Sequence, residues 1–238
     1  MQPNMQPRTG GGLRQPTVLS QGVALQQQKV LRNTYLLLAL TLIPTAIGAF
    51  IGLNLSFGIL RANPIMSSLG ILAVVYGMFF AIEKNRDSGL GVALLLALTL
   101  FLGIILGPLL QVALGLRNGA QLIAMAAGGT AVVFFTMAAI GTTTKRNLSF
   151  MGSFLAVGVI VVMLAVVANI FFQSPVVHLT ICAVFVVLCS MLIVFQINQI
   201  VQGGETNYVS ATLTLYMSIY NLFASLLQIL MALTGQRD

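Results

Sequence analysis

Polar side chains are few in this 238-residue chain, and many of them sit inside its last two apolar segments. The stretch IVFQINQIVQGGETNYV, residues 193–209, carries Gln196, Asn198, Gln199 and Gln202 ahead of Gly203, Gly204 and Glu205. Thr214, Ser218, Asn221, Ser225 and Gln228 then follow at spacings of four, three, four and three, which puts them on one face of a helix. Amides and hydroxyls can bridge two helices by hydrogen bonds or replace part of an ion's water shell. They do not shuttle protons, which would need titratable groups. The four acids, Glu83, Asp87, Glu205 and Asp238, all fall in loops or at the C-terminus. The single His178 reads as a helix-end anchor rather than a metal ligand. Cys182 and Cys189 are seven residues apart in one segment, and roughly 10 Å of helix rise between them excludes a disulfide, leaving two small hydrophobes. No nucleophile with a base, carboxylate pair or HExxH is present in an apolar segment, and the GGGLR of residues 10–14 lacks the strand and helix of a phosphate loop. The chain is therefore expected not to be an enzyme, and to hold neither cofactor nor metal.

The elements that must position these groups are membrane spans. With 58% hydrophobic and 6% charged residues, the composition lies far outside that of soluble domains. Seven apolar runs long enough to cross a bilayer are expected near residues 34–53, 65–82, 90–114, 120–140, 151–172, 176–201 and 209–233. Lipid leaves backbone groups without partners, and the runs lack the alternation of a barrel, so the fold class is an all-α seven-helix membrane bundle. The net charge of +7 serves topology rather than nucleic-acid binding. Arg8, Arg14, Lys29, Arg32, Lys84, Arg86, Lys145 and Arg146 lie on one side of such a bundle and Arg61, Arg117 and Arg237 on the other. The positive-inside rule then places the N-terminus in the cytoplasm and the C-terminus outside.

Residues 1–28 are expected to be a disordered cytoplasmic tail, rich in Pro, Gly and Gln, with Gln21–Asn33 able to extend the first helix; residues 29–235 form the membrane domain. The short connections make consecutive helices antiparallel neighbours. Gly48 with Gly52, Gly103 with Gly107, and Gly128-Gly129 are expected to bring helix backbones together. Pro44 and Pro108 should bend their spans. Counting rise from the loop between the last two spans, Gln196 and Ser218 lie about 10 and 14 Å deep on sequential helices, so contact between them is expected. Such a contact is either an interhelical hydrogen bond, worth about 0.6 kcal/mol, or part of a polar vestibule.

Several motifs in one order carry a resemblance. KVLRNTYLLLALTL, FLGIILGPLL, TTKRNLSFMGSFL, VVANIFFQSPVVHL and VQGGETNYVSATLTLYMSIYNLF, together spanning Lys29 to about Leu230, are similar to the Bax inhibitor-1 (TMBIM) family, in particular its bacterial YccA-like branch. The resemblance implies a seven-helix bundle with a cytoplasmic N-terminus in the bacterial inner membrane. It also implies association with the membrane-embedded ATP-dependent protease FtsH, of which such proteins are both substrate and inhibitor, the N-terminal tail being the handle. Other family members are pH-sensitive calcium leak channels that use two acids sharing a proton between the sixth and seventh helices. VFQINQI places Gln196 at the first acid position and LYMSIYNLF places Ser218 at the second. Neither residue titrates, so the resemblance favours the protease modulator, with an ungated calcium or cation leak as the alternative.

Overall fold

The structure, a computed structural model, describes residues 16–58 and 63–235, with side chains from 25 to 234. Its elements are α1 (Pro16–Asn54), α2 (Pro64–Lys84), α3 (Gly89–Leu114), α4 (Gly119–Thr143), α5 (Ser149–Phe172), α6 (Pro175–Gln202) and α7 (Tyr208–Gly235). All seven are long and apolar enough to span a membrane, and no strand occurs among the described residues. Their bounds fall within a few residues of the expected spans, except that α1 begins at Pro16. The helix thus includes Gln21–Asn33, expected able to extend it, and begins five residues earlier within the segment expected to be disordered, while residues 1–15 lie outside the described residues.

The most polar span is the central one. Helix α7 has the lowest mean hydropathy of the seven, 1.5, and packs against α1, α2, α3, α4 and α6. A helix screened from lipid can carry hydroxyls and amides that hydrocarbon would penalise. Val209, Leu213, Leu215, Tyr216 and Leu222 of α7 join Leu38 of α1, Leu95, Leu98 and Leu102 of α3, and Ile193 and Ile197 of α6 in the main core. Large apolar side chains such as Phe80, Phe135, Phe154 and Leu164 point outward, as lipid contact requires.

Neighbours in the bundle are not always neighbours in sequence. Helix α1 makes its most extensive contact with α3, and no packing of α1 on α2 or of α4 on α5 is found among the described residues. The expectation of sequential antiparallel pairs is corrected at these two places. The first exception has a steric cause: a Cβ on Gly48 would stand 2.2 Å from the Leu100 carbonyl oxygen, and one on Gly103 would stand 2.3 Å from that of Thr45. Gly52 and Gly107 meet in the same way one turn along, so the two backbones touch without side chains between them. Gly128 faces open space and Gly129 only the tip of Leu226, so this pair brings no backbone close. The second exception follows from α6, against which both α4 and α5 pack.

Candidate functional site

Three loops meet at the end of the bundle that carries Lys84, Arg86, Lys145 and Arg146, here called the basic end. Helix α6 stops there because Gly203 adopts a left-handed φ of 79°, which glycine takes without strain, and the Gly204 amide returns to the Gln199 carbonyl at 2.8 Å. Just before that stop, Asn198 is fully buried and spends both ends of its amide on the α4–α5 loop. Its Nδ2 donates to the Thr144 carbonyl at 3.0 Å and the Arg146 carbonyl at 3.2 Å, and its Oδ1 accepts from the Leu148 amide at 3.1 Å. Gln199 Nε2 donates to Ser149 Oγ at 3.1 Å and Gln202 Nε2 to the Lys145 carbonyl at 3.4 Å. These amides thus clamp a loop to α6 and keep α4 and α5 on its two sides. An apolar helix could not satisfy those partly buried backbone groups.

The start of α7 is tied in the same manner. Asn207 caps it, with Oδ1 accepting from the Val209 amide at 2.8 Å and the Ser210 amide at 3.2 Å. Its Nδ2 reaches the Arg86 carbonyl at 3.2 Å and Asp87 Oδ1 at 2.7 Å. Its own amide donates to Glu205 Oε1 at 2.8 Å. Ser210 Oγ donates to Glu83 Oε2 at 3.0 Å, and the same oxygen accepts a long 3.4 Å bond from exposed Arg86. Glu83 and Asp87 therefore act as acceptors that fasten the end of α2 and the α2–α3 loop to the start of α7, and Glu205 accepts within the α6–α7 loop itself.

Gln196 and Ser218 are both buried, 7% and 3% exposed, on the packed pair α6 and α7. The Ser218 hydroxyl donates to the Thr214 carbonyl of its own helix at 2.9 Å, and no hydrogen bond joins it to Gln196 among the described residues. Further along the stripe, Asn221 Nδ2 returns to the Met217 carbonyl and Gln228 Nε2 to the Ala224 carbonyl. The stripe thus divides. Ser218 lies in the closed interior, whereas Asn221, Ser225 and Gln228 line a cavity of about 250 Å³ between α5, α6 and α7.

That cavity lies toward the end opposite the basic loops, and its wall holds Asn169, His178 and Cys182 as well. His178 Nε2 and Gln228 Oε1 are hydrogen-bonded partners, and the Cys182 Sγ lies 3.9 Å from the same His178 nitrogen. His178 is therefore not isolated. Cys182 stands one helical turn after it, a spacing of four that the sequence displays openly but that reading Cys182 only against Cys189 passes over.

Two comparisons bear on this geometry. The family described as "Inhibitor of apoptosis-promoting Bax1" matches residues 27–235, all seven membrane-spanning helices. The chain belongs to this Bax inhibitor-1 family. It is also similar to Escherichia coli K12 "Modulator of FtsH protease YccA", 45% identical over 206 residues that cover 87% of this chain and 91% of that one. Uncharacterised proteins of Neisseria meningitidis (serogroup A) and Pseudomonas aeruginosa are each 42% identical, covering 89% of this chain and 94% and 93% of theirs. The Bax inhibitor-1 match makes the chain a multi-pass membrane protein on two independent grounds, family and helix composition.

Proposed function

We propose that this member of the Bax inhibitor-1 family is a non-enzymatic inner-membrane protein that binds FtsH and modulates it, as both inhibitor and substrate. The observation that carries this reading is the 45% identity to a protein named a modulator of FtsH protease, extending over nearly the whole of both chains. The neutral residues Gln196 and Ser218 support it, because the acid pair of the family's channel members would have to titrate there. In this reading the N-terminus is cytoplasmic, as the eight basic residues of the basic side and N-terminal segment favour, and residues 1–28 are what the protease grasps. Purification of the tagged chain from native membranes tests it. FtsH co-purifies, and deleting residues 1–15 lengthens the protein's half-life; absence of FtsH together with an unchanged half-life overturns the reading.

One observation favours a second reading, a calcium or cation leak. Asn221, Ser225 and Gln228 line a cavity reaching about 250 Å³, an arrangement that packing alone does not require. Calcium flux into proteoliposomes decides between them. A leak of this kind lacks the proton-coupled gate of an acid pair, because Gln196 and Ser218 hold no proton to lose.

A further inference from the structure

We infer that His178 and Cys182 form a binding site for a soft monovalent metal ion of the copper(I) and silver(I) class, with Gln228 Oε1 as an adjacent oxygen donor. The two side chains project from successive turns of α6, and the Cys182 sulfur lies 3.9 Å from His178 Nε2. One ion bound at about 2.0 Å to the imidazole and about 2.3 Å to the thiolate spans that separation at an angle of about 130°, which leaves room for a third ligand. Gln228 Oε1 accepts a hydrogen bond from the same imidazole nitrogen; an ion binding there shifts that proton to Nδ1 and leaves the amide oxygen beside the ion. Met231 lines a second cavity, of about 290 Å³, in which His178 and Gln228 also take part, so a thioether stands within the same neighbourhood. Imidazole, thiolate and thioether together suit a soft ion.

Charge selects among metals more sharply than donor type. Cys182 is 3% exposed, and no carboxylate lines either cavity. The described acids Glu83, Asp87 and Glu205 are committed at the basic end. A monovalent ion replaces the thiol proton one for one, the proton leaving to water, and the complex stays neutral in a low-dielectric interior. A divalent ion on the same ligands leaves a net positive charge that nothing nearby neutralises. The site is thus built against zinc although it holds a His–Cys pair. The cavity between α5, α6 and α7 and the exposure of His178 give the ion a way in.

The test titrates the purified full-length protein in detergent against copper(I) held by a chromophoric chelator. The wild type withdraws one equivalent with appearance of a sulfur-to-copper charge-transfer band, and Cys189→Ser behaves identically. Cys182→Ser loses the band, and His178→Ala weakens withdrawal by about tenfold or more. Because Cys182 is buried, His178→Ala carries the comparison if Cys182→Ser does not purify as a monodisperse species. Silver(I) competes for the site and zinc(II) does not. The inference is overturned if no copper is withdrawn, if Cys189→Ser rather than Cys182→Ser removes the band, if His178→Ala binds as tightly as the wild type, or if zinc binds as tightly as copper.

Discussion

Asn198 shows how much one amide can organise at the residue scale. Truncating its side chain to a methyl group leaves the Thr144 and Arg146 carbonyls and the Leu148 amide without their partner. Buried backbone groups left unpaired cost about 1–3 kcal/mol each, offset where water reaches them, so Asn198→Ala is expected to lower stability by about 2–4 kcal/mol. Hydrogen exchange is expected to speed up selectively at residues 144–149. Gln202→Ala, which removes an exposed 3.4 Å bond to the same loop, is expected to change stability by less than about 0.5 kcal/mol. Thermal unfolding in detergent, with exchange measured by mass spectrometry, checks both. The amides were visible in the sequence as a group, but their separate roles were not. The partners of Asn198 are backbone atoms about fifty positions away, and no helical periodicity encodes a loop that folds back over a helix. Depth alone put Gln196 level with Ser218, and depth does not specify which acceptor a hydroxyl takes; Ser218 takes the Thr214 carbonyl of its own helix.

At the scale of elements, the seven spans could be read from the sequence because lipid imposes a length and a composition on every one of them. The stripe on α7 was readable for the same reason, since a polar face in a membrane helix has to look inward, and α7 proved to be the helix most surrounded by others. The order of neighbours was less accessible. GxxxG-type spacing identifies a surface for close approach but names no partner, and only the structure joins Gly48 and Gly52 to Gly103 and Gly107 while leaving Gly128 in open space. This interface makes a direct prediction. Gly48→Ala and Gly103→Ala each place a methyl carbon under 3 Å from a backbone oxygen, so α1 and α3 must separate. Each substitution is expected to destabilise the protein by about 1–3 kcal/mol or more, whereas Gly128→Ala is neutral or slightly stabilising through helix propensity. Thermal midpoints of the three variants in one detergent distinguish the interface from an ordinary helix position.

For the whole molecule, family membership and architecture agree on a membrane bundle whose basic end is knit together by Asn198, Asn207 and Ser210 and whose opposite half holds a polar cavity. In the reading proposed above, neutral Gln196 and Ser218 leave the chain without a proton-coupled gate. Any calcium flux into proteoliposomes is accordingly expected to lack the steep pH dependence that a coupled carboxylate pair confers. A steep pH dependence would show that a group other than Gln196 and Ser218 performs the gating. The measurement closest to the central claim is degradation of a membrane substrate by purified FtsH in proteoliposomes, with and without an equimolar amount of this protein. The expected result is slower substrate loss, accompanied by cleavage of the added protein beginning at its N-terminal segment. An unchanged degradation rate with the added protein left intact would contradict the account.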